Sequence, residues 1–291
     1  MGAIGFRMLL STLKFSMKVI PFIVLVFQVG GCLLLVSCGN RVSEQRSLDK
    51  VSRTPRPDEV AKPRHLEYEL VSTVPHDTSA STQGFLFHEG IYYESTGGYG
   101  TSTLRRVDAQ SGNILKIGAL PASVFGEGLI LRENRLYQLE WKGGRGFIYD
   151  RETFTYVGDF RYEGEGWGLA WNGQHLILSD GTAILRFLDP ESFAVVRSVK
   201  VRNHLGPVDR LNELEFVEGQ VFANRWFRDD IVVIDPESGV VTATLDLAAL
   251  ERPRPRNPES VLNGIAYDVR RGLLHVTGKD WPRVYILRIR K

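Results

Sequence analysis

From residue 83 onward, apolar and polar positions alternate in five stretches built to one plan: a small or acidic residue, an alternating strand, a short turn and a second strand. The stretches are QGFLFHEGIYYEST, EGLILRENRLYQLEW, WGLAWNGQHLILSD, NELEFVEGQVFANRW and NGIAYDVRRGLLHVTGK. With Gly84, Gly128, Gly168, Glu213 and Gly264 taken as equivalent, the spacings are 44, 40, 45 and 51 residues. That period belongs to a propeller blade. Four of the units continue into a third strand and a hairpin, as in LRRVDAQSGNILKIG and IVVIDPESGVVTATL. An Asp closing a strand ahead of Pro, Ser or Gly is turn chemistry, because these residues bond or bend the local backbone.

The fifth unit has only RVYILRI before the chain stops. Tyr68 to Val74 (YELVSTV), which precede the first unit, are expected to supply its missing outer strand and so remove an open edge. The expected architecture is therefore all-β, a five-bladed β-propeller closed by N- and C-terminal strands in one blade. In such a fold the starts of the innermost strands converge on one face of a central channel. Gln83, Phe125, Glu127, Trp167, Asn212 and Asn263 stand there, and the ends of the second strands add Trp141, Trp226 and Lys279.

Aromatic walls with a few aimed polar groups describe a small-ligand pocket. Each residue also has a plainer reading. Glu127 in VFGEGL can be an exposed turn residue paired with Arg132 or Lys142, the tryptophans can be core, and Lys279 can be a solvated strand end. Asn263 and Glu213 read as partners for buried backbone groups, Trp171 as core, and Trp281 as packing or rim. The six histidines form no HxxxH or HExxH pattern, so neither a metal nor any other cofactor is expected.

The strings TQGFLF, YESTGGYGTSTLRRVD, FGEGL, LYQLEW, LNELEF, ANRW, DPESG and LNGIAYD resemble the glutaminyl-peptide cyclotransferases of the plant and bacterial propeller type. The resemblance spans residues 67 to 291. It implies a five-bladed propeller that turns the N-terminal glutamine of peptides or proteins into pyroglutamate and releases ammonia, by a route unrelated to the zinc-dependent animal enzymes. It also implies Glu127 as catalytic acid/base, with Gln83, Phe125, Trp141, Trp167, Asn212, Trp226 and Lys279 around the substrate. Ser81 and Arg225 depart from the family pattern, which bears on peptide preference more than on the reaction. Two other classes stay open: a calcium-dependent lactonase-like hydrolase and a non-catalytic ligand-binding propeller.

The N-terminus changes the picture of where this happens. Residues 1–37 hold no acidic residue and only Arg7, Lys14 and Lys18 as basic ones, followed by an apolar stretch. Leu35-Val36-Ser37-Cys38 resembles a bacterial lipobox, so residues 1–37 are expected to be a signal peptide and Cys38 the lipidated end. Met17 is an alternative start, and an uncleaved anchor is the other reading of the segment. Residues 38–66 read as a tether with Pro55, Pro57 and Pro63, spanning on the order of 30 Å; residues 67–291 read as one catalytic domain. Loss of Cys32 with the signal leaves no disulfide partner for Cys38. The three basic residues lost leave 33 against 34 acidic ones, a balance that does not favour nucleic acid. The expectation is a monomeric bacterial envelope lipoprotein facing the periplasm, on the outer membrane.

Overall fold

The protein is represented by a computed structural model that describes residues 60–251 and 257–290. The signal segment, Cys38 and the tether up to residue 59 lie outside the described residues. What is described is all-β, with 22 strands and no helix.

Strand β1 (Arg64–Pro75) precedes a first four-stranded meander of β2 (Thr82–His88), β3 (Ile91–Thr96), β4 (Thr103–Asp108) and β5 (Ile114–Ala119). The second meander is β6 (Gly126–Arg132), β7 (Arg135–Glu140), β8 (Arg145–Asp150) and β9 (Tyr156–Arg161). A third comprises β10 (Leu169–Trp171), β11 (Leu176–Leu178), β12 (Ile184–Leu188) and β13 (Val195–Lys200), followed by a two-stranded ribbon, β14 (Arg202–Asn203) and β15 (Gly206–Pro207). The last strands are β16 (Leu211–Val217), β17 (Gln220–Arg225), β18 (Asp230–Ile234), β19 (Val241–Asp246), β20 (Leu262–Asp268), β21 (Leu273–Gly278) and β22 (Arg283–Arg290). With β1 they form one eight-stranded sheet in the order β16-β17-β18-β19-β1-β22-β21-β20.

The pairing expected between the chain ends is present: Tyr68 lies opposite Ile289 and Val74 opposite Val284, antiparallel. The structure adds what the alternation did not predict. Arg64, His65 and Leu66 pair in parallel with Ala243, Thr244 and Leu245 of β19, so β1 joins two meanders. The tether is accordingly shorter than read, since Val60 is buried and the strand begins at Arg64. An outer strand half-buries only one face, which weakens the alternation that marks it.

Burial falls from the first strand of each meander to the last. Strands β2, β6 and β20 are buried on both faces through most of their length, whereas β5, β9 and β13 are largely exposed. Glycine permits the close approach between first strands. A Cβ on Gly84 would sit 2.5 Å from the backbone nitrogen of Leu129, one on Gly128 2.5 Å from that of Leu169, and one on Gly168 2.0 Å from the carbonyl oxygen of Asn212. Glu213, at the equivalent place in the fourth unit, instead accepts hydrogen bonds from the backbone N–H of Phe85 (3.3 Å) and Ile265 (2.8 Å).

The hairpin motif works as its residues suggest. Oδ1 of Asp108, Asp150, Asp189 and Asp235 each accepts two backbone N–H groups and one hydroxyl from the next three residues, for example Ser238 N and Oγ at 2.7 and 2.8 Å. Positive φ follows at Gly112, Phe154, Phe193 and Gly239. A phenylalanine tolerates that strained position where its ring is used, as Phe193 stacks on Phe160 with centroids 4.4 Å apart.

Candidate active site

The polar candidates come from bulges. Pairing of the first and second strands shifts register between Thr82 and Gly84, Gly126 and Leu129, Leu211 and Leu214, and Leu262 and Ile265. Gln83, Glu127, Asn212 and Asn263 stand inside those shifts. A bulge leaves its residue out of the ladder and re-aims the side chain, and Gln83, Glu127 and Asn212 thereby turn toward a shared space.

That space is a cavity of about 580 Å³. All eight residues expected around the substrate line it: Gln83, Phe125, Glu127, Trp141, Trp167, Asn212, Trp226 and Lys279. Ser81, Gly97, Gly98, Thr101, Asn257, Glu259 and Asp280 complete the lining and were not foreseen as site residues. Asn257 and Glu259 sit on a connection outside the repeating period, so no pattern marks them.

Glu127 is 5% exposed, and no hydrogen-bond or ion-pair partner reaches its carboxyl among the described residues. The surface-pair reading is excluded, because Arg132 binds Glu191 at 2.6 Å and the Lys142 ammonium lies 3.9 Å from the centroid of the Trp141 ring. Burial pushes the Glu127 carboxyl well above the usual carboxylate range; Lys279 opposes that push and Glu165 adds to it. Burial in turn lowers the Lys279 ammonium, against the pull of Glu127, Glu259 and Asp280. For both groups, loss of water outweighs their mutual attraction.

The walls are aromatic. Phe125 packs on Trp141 with centroids 5.3 Å apart, and Trp167 meets Trp226 edge-on at 5.4 Å. The indole N–H groups of Trp141 and Trp167 both donate to Oε2 of Glu165, at 2.9 Å each. Sequence reasoning passed over Glu165, although EGEGWG repeats the glycine-flanked carboxylate of FGEGL.

Gln83 and Asn212 are each 2% exposed, and Oδ1 of Asn212 has no partner among the described residues. Asn263 donates to the Thr82 carbonyl at 2.9 Å and, with Glu213, serves buried backbone groups and the neighbouring Gln83 amide. Trp281 is core, its indole donating to the Ser260 carbonyl, and Trp171 packs against a core cluster under Arg132. Among the described residues no three His, Cys, Asp or Glu side chains gather closely enough to hold a metal ion. The arrangement offers a buried carboxyl, a lysine amine and two carboxamides inside an aromatic-walled pocket, which suits proton transfer on a small bound group.

The profile of the glutamine cyclotransferase family matches residues 42–289. A glutaminyl-peptide cyclotransferase of Arabidopsis thaliana is 38% identical over 230 residues, spanning 77% of this chain and 72% of the relative. The crystal structure of Myxococcus xanthus glutaminyl cyclase superposes with a TM-score of 0.74 at 38% identity, covering 78% of this chain and 98% of that one.

Proposed function

This chain belongs to the glutamine cyclotransferase family, and from that premise we propose that its cavity cyclises the N-terminal glutamine of peptides and proteins with Glu127 moving the proton. The observation that carries the mechanism is a buried, unpartnered Glu127 carboxyl within an aromatic cavity that also holds Lys279 and Asn212.

The α-amine attacks the side-chain carboxamide carbon of the same glutamine, forming the ring C–N bond. Glu127, as carboxylate, takes a proton from that nitrogen. It then returns the proton to the former amide nitrogen, the C–N bond to it breaks, and ammonia leaves. A carboxyl that burial raises above the usual carboxylate range is matched to both transfers. Asn212, Gln83 and Lys279 polarise the carboxamide oxygen and stabilise the charge that collects there. Trp141, Trp167, Trp226 and Phe125 hold the glutamine curled and keep water from hydrolysing it.

The domain in this reading is a five-bladed β-propeller. Its support is a cycle of neighbours among the first strands: β2 contacts β6 and β20, β10 contacts β6 and β16, and β16 contacts β20. We also propose that Cys38 is lipidated after removal of residues 1–37 and tethers a monomeric enzyme to the outer membrane. Gly39 supports that placement, since it lacks the acidic residue that retains lipoproteins at the inner membrane. Labelled palmitate is expected on the wild-type protein and not on Cys38→Ala; a wild type without label removes this part.

The activity is tested by ammonia release from a Gln-initiated dipeptide, with and without chelator. The wild type is expected to turn over in both. Glu127→Gln keeps size and hydrogen-bonding reach, so it is expected to bind the dipeptide while kcat falls by about 10²-fold or more. A variant with wild-type kcat/KM overturns the role given to Glu127.

A further inference from the structure

We infer that Glu165 is a positioning residue for this reaction, one carboxylate oxygen setting the two tryptophan walls of the pocket. The inference rests on the proposed function of that pocket. Trp141 follows β7 and Trp167 precedes β10, so the walls belong to different sheets with no ladder between those two strands. An indole has a single donor. Fixing the N–H of each ring at 2.9 Å from Oε2 therefore fixes the direction of each ring edge. The backbone repeats the link, with Gly166 N–H donating to the Trp141 carbonyl at 3.0 Å.

Glu165 is itself held. Its carbonyl accepts from Arg186 at 2.9 Å, the Glu163 carbonyl accepts from another nitrogen of the same guanidinium, and Arg186 pairs with Asp180 at 3.3 Å. The cation is thus spent on carbonyls and Asp180, and the Glu165 carboxylate is answered by the two indoles. Its charge remains to act on Glu127. The titratable groups whose charge bears directly on Glu127 are Lys279, Glu165 and Tyr162, whose hydroxyl donates to the Glu140 carbonyl; Glu259 and Asp280 line the same cavity and act on Lys279. Of these, Lys279 favours the Glu127 carboxylate and Glu165 disfavours it.

The clamp and the charge separate by substitution. Glu165→Gln keeps an acceptor oxygen and drops the charge; Glu165→Leu drops both. Steady-state kinetics on a Gln-initiated dipeptide are read across pH, beside substrate-free tryptophan emission and thermal melts. Glu165→Leu is expected to raise KM about tenfold or more and to change tryptophan emission, since two charge-assisted hydrogen bonds are lost. In Glu165→Gln, KM stays within about twofold of wild type while the acid limb of kcat/KM moves to lower pH, because Glu127 loses a like-charged neighbour. Wild-type KM and emission in a folded Glu165→Leu overturn the clamp, and an unmoved acid limb in Glu165→Gln overturns the action on Glu127. A wild type that releases no ammonia sinks the reaction instead, and the emission of Glu165→Leu still decides whether Glu165 sets the indoles.

Discussion

His76 Nε2 lies 2.9 Å from Oε1 of Glu94, and both side chains are nearly sealed from water. The same oxygen accepts the Thr82 hydroxyl at 2.6 Å, while His76 Nδ1 donates to the Trp281 carbonyl at 2.7 Å. With acceptors at both ring nitrogens, His76 carries both protons and the pair is ionic. It ties the segment after β1 to β3 and to the turn before β22.

A pH dependence of stability follows. Burial alone lowers His76, but Glu94 outweighs it and the net shift is upward from 6.5; burial alone raises Glu94, but His76, Thr82 and Arg105 carry it below 4.5. Stability from the raised histidine is complete below pH 6.5 and is lost as pH climbs through its folded value. Stability from the depressed carboxylate is complete above pH 4.5 and is lost as pH falls. His76→Asn is expected to cost about 3 kcal/mol or more near pH 6, since a buried charge loses its partner. The Tm gap between wild type and variant should narrow as pH rises above 6.5. A constant gap overturns the assignment.

Trp167 tests the walls. Its indole binds Glu165 and its ring edge meets Trp226. Trp167→Ala removes grip and enforced curl together, so KM is expected to rise and kcat to fall, with kcat/KM down about tenfold or more. An effect on KM alone would mean the ring only binds.

Gly168 couples packing to the site. A Cβ there would lie 2.0 Å from the Asn212 carbonyl oxygen, which already accepts the Ser179 hydroxyl at 2.6 Å. Gly168→Ala is expected to cost about 1 to 3 kcal/mol by overpacking and to lower turnover by shifting Asn212. Melts and kinetics on one preparation check both.

The chain-end pairing is tested by truncation. A chain beginning at Val60 is expected to melt with the full-length protein. One beginning at Pro75 strips β22 of one of its two partners and uncovers the cluster of Phe85, Tyr92, Val284 and Ile286 that Val74 helps to close. That loss is on the order of the whole stability of a domain, about 5 kcal/mol or more, and no cooperative melt should remain. Equal melting of the two truncations overturns the closure.

Much of this was legible in sequence because the inner strands repeat. The period aligned Gln83, Glu127 and Asn212, and the resemblance in FGEGL and LYQLEW separated pocket tryptophans from Trp281. Bulges were not legible, since one skipped pairing leaves the alternation almost intact. Glu165 escaped because its role depends on two indoles that meet only when sheets pack. Arg64 to Leu66 were read as tether because a short parallel pairing on an outer edge needs little apolar character.

Strand β1 carries a consequence for the order in which the molecule is made. Glu67 lies opposite Arg290, so the first of the described strands waits for the last of them. At about 5 to 20 residues per second, translation of the intervening chain occupies on the order of 10 to 45 s. Until β22 is in place, Glu67 to Pro75 of β1 form an unpaired edge containing Tyr68, Leu70 and Val71, open to pairing with other chains. Arg64, Glu67 and Glu69 are spaced along β1, charges of the kind that discourage edge-to-edge association. In the finished protein Glu67 and Glu69 face Arg290 and Arg288 at 3.7 and 3.5 Å, so the residues that guard the waiting strand also meet its partner when that arrives.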